Sequence, residues 1–74
     1  MAQLPRISGR EAVNVFKTLG WTHVRQSGSH MILVREGHPA TLSVPDHKET
    51  AKGTLRSLIR SAGITVEEFV NAMD

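Results

Sequence analysis

Two short apolar runs, Trp21 to Arg25 and Met31 to Arg35, flank the segment Gln26-Ser27-Gly28-Ser29-His30. Strand-like runs on both sides of a small polar tip are the pattern of a β-hairpin. Gly28 offers the positive φ that a tight turn often needs, and Ser27 and Ser29 are common turn formers. His30 then opens the second strand, held by a strand backbone beside a solvated turn. A titratable group at a rigid, wet edge is well placed for proton transfer, and it is equally an ordinary place for an ordinary histidine. Parity leaves open whether His30 points with Ile32 and Val34 or whether a bulge at the turn changes that.

The hairpin organises the elements around it. Residues 1–7 are expected to be a short, frayed lead-in. Ser8-Gly9-Arg10-Glu11 has the form of a capping box, and Ala12, Val15, Phe16 and Leu19 share one helical face, so a helix is expected from Gly9 to Leu19 with Gly20 as its stop. The strand from His30 to Arg35 is apolar on both faces, as befits the middle of a sheet or a face shared with a partner. Glu36-Gly37-His38-Pro39 reads as a turn, and Ala40 to Val44 as a third strand ended by Pro45. After a polar loop from Pro45 to Thr50, Leu55, Leu58, Ile59 and Ala62 mark a second helix that stops at Gly63. Thr65-Val66-Glu67-Glu68 is another capping box, opening a third helix with Val66, Phe69, Val70 and Met73 on its apolar stripe. The expected architecture is α+β in the order α-β-β-β-α-α. It has a three-stranded antiparallel sheet with the helices packed on one face, the first two sharing it. All 74 residues are read as a single domain.

Composition narrows the function. There is no cysteine, hence no disulfide framework and no thiolate metal site. No apolar run is long enough to span a membrane, and Met1 to Arg6 does not resemble a signal peptide, so no membrane partner and a cytoplasmic location are expected. The net charge is only +2, but its distribution is uneven: between Ala51 and Val66 there is no acid, while Lys52, Arg56 and Arg60 fall there. Glu67, Glu68 and Asp74 are gathered at the C-terminus. A segregated basic segment points to a polyanion. With three aromatic residues in all, the chain lacks the stacking platforms of a sequence-reading single-strand binder.

Taken together, Ser8-Gly9-Arg10-Glu11, Leu19-Gly20-Trp21, Arg25-Gln26-Ser27-Gly28-Ser29-His30, Val44-Pro45-Asp46-His47, Lys52-Gly53-Thr54-Leu55-Arg56-Ser57-Leu58-Ile59-Arg60, Ala62-Gly63-Ile64 and Glu67-Glu68-Phe69 resemble the HicA toxins. These are small messenger-RNA interferases of type II bacterial toxin–antitoxin pairs. The likeness covers almost the whole chain; Trp21 departs from the phenylalanine more usual at its position. The resemblance implies a fold like the double-stranded-RNA-binding domain, a cognate HicB-like antitoxin in a hetero-oligomer, messenger RNA as substrate, and His30 of the Gly-Ser-His motif as the catalytic residue.

The residues are compatible with that chemistry. RNA is cleaved when its 2′-OH attacks the adjacent phosphorus and expels the 5′-oxygen. An imidazole can take the first proton or supply the second, and nearby cations can steady the charge on phosphorus. No acidic cluster is present to hold divalent metals, so metal-independent cleavage without a cofactor is expected. Lys52, Arg56 and Arg60, spaced by four along one helix stripe, are the first candidates for RNA phosphates. Gly53 and the helix N-terminus add room and donors; a solvated helix face is the plain alternative. Arg25 and Arg35 on the strands near His30, Ser29 and Gly28 at the tip, and His47 in the loop complete the RNA-binding candidates, His47 being equally readable as a solvated loop residue. His23 and His38 read as strand-surface and turn residues, and the spacing of His30, His38 and His47 matches no ligand pattern. Two other functions remain open: a non-catalytic binding module for double-stranded RNA, which needs no histidine at position 30, and a protein–protein adaptor in which the apolar sheet matters instead.

Overall fold

Both capping boxes are present in the computed structural model, which describes residues 3–73. The Glu11 N–H donates to Ser8 Oγ at 3.1 Å and the Ser8 N–H to Glu11 Oε1 at 2.9 Å. The same exchange joins Thr65 and Glu68 at 3.0 and 2.9 Å. They open α1 (Gly9–Thr18) and α3 (Val66–Ala72). Between them lie β1 (Thr22–Ser27), β2 (His30–Val34), β3 (Leu42–Pro45) and α2 (Lys52–Ser61), in the expected order and α+β class. Each strand pairs antiparallel with the next and β2 is central. That position agrees with the expectation of a middle strand, and Met31 and Leu33 account for one of its two apolar faces.

One face of the sheet is covered. Met31, Leu33, Leu42 and Val44 point into the core, each 4% exposed or less. Helix α1 lies on β1 and β3, α2 lies on β3, and α3 packs against α1 and α2. Phe16, fully buried, joins the layers: its ring centroid is 5.1 Å from that of Phe69 on α3 and 6.5 Å from that of Trp21. Among the described residues no helix is long and apolar enough to cross a membrane.

Several boundaries differ from the sequence reading: α1 ends at Thr18 with Leu19 as its cap, and β3 takes in Pro45, the partner of His30. The lead-in is not frayed where it is described, since Leu4 and Ile7 are buried in the core and the Thr50 N–H donates to the Ile7 carbonyl at 2.8 Å; Met1 and Ala2 lie outside the described residues, as does Asp74. Trp21 precedes β1, whose ladder instead runs two residues beyond Arg25. Arg35 leaves β2 because its carbonyl accepts the His38 N–H at 3.0 Å, closing a turn. Ala40 is not in β3 because its N–H is taken by His38 Nδ1 at 3.1 Å rather than by the ladder. His38 therefore carries its proton on Nε2 when neutral, and its ring packs on Trp21 with centroids 5.0 Å apart. It is half-buried rather than a free turn residue.

The start of α1 is held against the end of β3. The Gly9 N–H donates to the His47 carbonyl at 2.9 Å, and a Cβ at Gly9 would fall on the Pro45 carbonyl oxygen. Backbone cannot yield as the tip of a flexible side chain can. Gly9→Ala is expected to cost about 1–3 kcal/mol, measured as a lower urea midpoint with an unchanged m-value.

Candidate functional site

The hairpin tip is set by the ladder. Ser27 faces His30 across β1–β2, and His30 faces Pro45 across β2–β3. Only Gly28 and Ser29 lie between the strands. Gly28 has φ 60° and, among the described residues, no non-glycine has positive φ, which is the arrangement of a type II′ turn with glycine first. The Asp46 N–H donates to the Ser29 carbonyl at 2.7 Å, so β3 grips the tip from the other side.

No bulge occurs at the turn. The burial of Met31 and Leu33 therefore puts His30, Ile32 and Val34 on the opposite, uncovered face, where His30 is exposed. The register slips instead between His23 and Arg25, at Val24, which is 50% exposed. Strict alternation from His23 would turn Arg25 into the core side. The extra residue places it opposite Ile32, on the face that carries the imidazole. Arg25 and His30 are thus diagonal neighbours, with Cβ atoms about 7–8 Å apart in regular geometry, within reach of a long side chain.

The loop after β3 adds to this end of the sheet. His47, two residues beyond the partner of His30, is exposed, and its carbonyl is the acceptor for Gly9. Asp46 forms the one ion pair among the described residues: its carboxylate accepts from Arg10 Nε at 3.2 Å and from Arg10 Nη2 at 3.4 Å. Arg10 is mostly exposed, so the pair contributes at most about 1 kcal/mol. It still gives Asp46 a cation of its own. Arg10 and Asp46 were not singled out from sequence; they are far apart along the chain, and no local spacing connects them.

The predicted residues do not all assemble. His30, Gly28, Ser29, Arg25 and His47 come together at the tip and the adjoining loop. Arg35 does not: it follows the far end of β2, about 16 Å from His30 at the rise of a strand, and its guanidinium lies against Gly20. Lys52, Arg56 and Arg60 are all exposed along α2, spanning about 12 Å of helix axis. Their helix packs on the covered side of the sheet, while the imidazole is on the other. Lys52 starts α2 at the loop end, and Arg56 and Arg60 border a cleft of ≈ 270 Å³ with Ile59, Ile64 and Val66. The N-cap residue, Ala51, supplies no side-chain cap, and a Cβ at Gly53 would meet nothing within 4 Å. Its first turn is open to solvent. Among the described residues, no three His, Asp or Glu side chains come together as a metal site.

A family model described as the HicA toxin of bacterial toxin–antitoxin matches residues 9–64. That span runs from the first residue of α1 past the end of α2 and includes the hairpin tip and the loop after β3. No curated protein matches the chain.

The tip depends on its glycine. Gly28→Ala forces an L side chain into the positive-φ position and is expected to cost about 1–3 kcal/mol, read as a lower urea midpoint. A Cβ there meets no atom within 4 Å, so the loss comes from backbone conformation and not from a clash.

Proposed function

The chain belongs to the HicA toxin family of bacterial toxin–antitoxin systems, and on that premise we propose that it is a metal-independent endoribonuclease that cleaves messenger RNA with His30 as general acid/base. The observation that carries this reading is the exposed imidazole held by ladder pairs on both sides, to Ser27 and to Pro45. The ring has a fixed origin, open access and a cation, Arg25, on the same face.

The reaction uses the substrate's own nucleophile. His30 accepts the 2′-OH proton as that oxygen attacks phosphorus, or donates a proton to the departing 5′-oxygen; the P–O5′ bond breaks and a 2′,3′-cyclic phosphate remains. Arg25 offsets the charge that builds on phosphorus. His47, close along the loop, serves as a second proton group or as a phosphate contact. Lys52, Arg56 and Arg60 hold flanking phosphates, with Ser29 and Gly28 offering the strand a small, polar surface at the tip. A cognate HicB-like antitoxin silences the toxin, and messenger RNA as substrate puts its work in the cytoplasm. The basic flank of α2 also favours a second reading, a double-stranded-RNA-binding module without catalysis. Growth arrest on expression that is lost in His30→Ala distinguishes the first from the second.

Purified protein incubated with RNA in EDTA should yield products ending in 2′,3′-cyclic phosphate or 3′-phosphate. In His30→Ala the rate should fall by at least about a hundredfold with the urea midpoint unchanged. Full activity in that variant would remove His30 from the mechanism. Replacing Lys52 and Arg56 together by alanine should reduce the slope of log K against log salt by about 1.4 for single-stranded RNA; an unchanged slope means that these two side chains do not meet phosphate.

A further inference from the structure

A polar groove runs along the free edge of β1, between that strand and α1. Arg10, Asn14 and Lys17 line it from the helix and His23 and Gln26 from the strand, with Met31 in its floor. Its volume, ≈ 320 Å³, is at the small end of the range for small-molecule sites. No carboxylate lines it. Of its two cations, Arg10 is occupied by Asp46, whereas Lys17 makes no ion pair among the described residues. The groove starts next to the hairpin tip, since Gln26 immediately precedes Ser27, the partner of His30.

We propose that this groove is a one-nucleotide subsite that reads a base of the RNA strand. The proposal rests on the reading of the chain as an RNA-cleaving enzyme and adds where base preference would come from. Asn14 and Gln26 bring two side-chain amides to one cleft, the groups suited to the donor and acceptor pattern of a base edge. The Gln26 Nε2 group donates to the Gly28 carbonyl at 3.4 Å, which leaves Oε1 available as an acceptor. The His23 Nε2–H is likewise engaged, at 3.1 Å from the Arg25 carbonyl, leaving Nδ1 as an acceptor when the ring is neutral. Two acceptors on residues that line the cleft favour a base edge that presents two donors side by side. Guanine, with its N1–H beside the exocyclic N2 amino group, fits; adenine and cytosine would set a ring-nitrogen lone pair against one acceptor, and uracil would set a carbonyl oxygen there. Met31 offers a polarizable, apolar floor for the base face, and Lys17 takes the adjoining phosphate. The strand reaches the groove by passing from the outer face around the edge of β1 at the tip. The chain itself sets this short path, because Gln26 and His30 sit on opposite faces within one ladder step.

The test uses the His30→Ala chain, so that RNA survives the measurement, and single-stranded oligoribonucleotides differing at one position. The expected result is a preference of about tenfold for guanine over adenine, cytosine or uracil. Adding Asn14→Ala and Gln26→Ala should level that preference, while Lys17→Ala should weaken all oligonucleotides equally. Asn14 and Gln26 are exposed, so the urea midpoint should not move. Absence of any base preference in the parent, or its survival in the double variant, overturns the subsite. Failure of the wild-type chain to cut RNA, with the preference intact, removes the cleavage reading and leaves the groove as a nucleotide site.

Discussion

Strand β2 has apolar side chains on both faces: Met31 and Leu33 on one, Ile32 and Val34 on the other. By itself it has no preferred side, since a flip would exchange one apolar pair for another of similar size. Its neighbour settles the matter. In β3, Leu42 and Val44 alternate with the polar Ser43, and Thr41 precedes them, so only one face of that strand can be buried. The pairing of Val44 with Met31 and of Leu42 with Leu33 then carries that choice into β2. Burying each such side chain contributes about 1.5–3 kcal/mol. The exposure of His30 follows from this register, because a one-residue slip would turn the imidazole toward the helices.

Three backbone contacts hold the end of the sheet where that imidazole lies. Asp46 binds the tip at Ser29, His47 receives the first N–H of α1, and Thr50 is tied to Ile7. The close approach of Gly9 to Pro45 sets the position of α1 over the sheet. Helix α1 then crosses from the end of β3 to the start of β1, and its core residue Phe16 meets Phe69 and Trp21. One helix thus connects the candidate catalytic end to the aromatic cluster and forms one wall of the groove along β1. The same covering leaves the face with Ile32, Val34 and the exposed Val24 open.

Charge follows a different logic. Cations are spread over both sides of the molecule, and the single ion pair among the described residues lies beside the tip. Arg25 shares the imidazole's face; Lys52, Arg56 and Arg60 do not. An RNA strand that met both groups would have to pass around the loop end of the sheet, where Lys52 begins α2. His38, read from sequence as a turn residue, is engaged instead in structure, through Ala40 and Trp21.

Element order, both capping boxes, the glycine tip and the central strand were legible in the residues, because each rests on contacts between near neighbours in the chain. His30 stood out as the candidate through its place after the turn and through the resemblance. Its side of the sheet was not legible, because β2 is symmetric in apolar content and the deciding pattern lies in β3. The company of Arg25 was not legible either: an extra residue at Val24 reverses its side, and nothing in the local pattern announces that bulge. Arg35 looked close to His30 only while distance was counted in elements; strand rise separates them. Local sequence thus determined which segments form and where the tip lies, whereas tertiary pairing decided which face is wet and which side chains share it, because a strand's side is fixed by what its neighbours must bury.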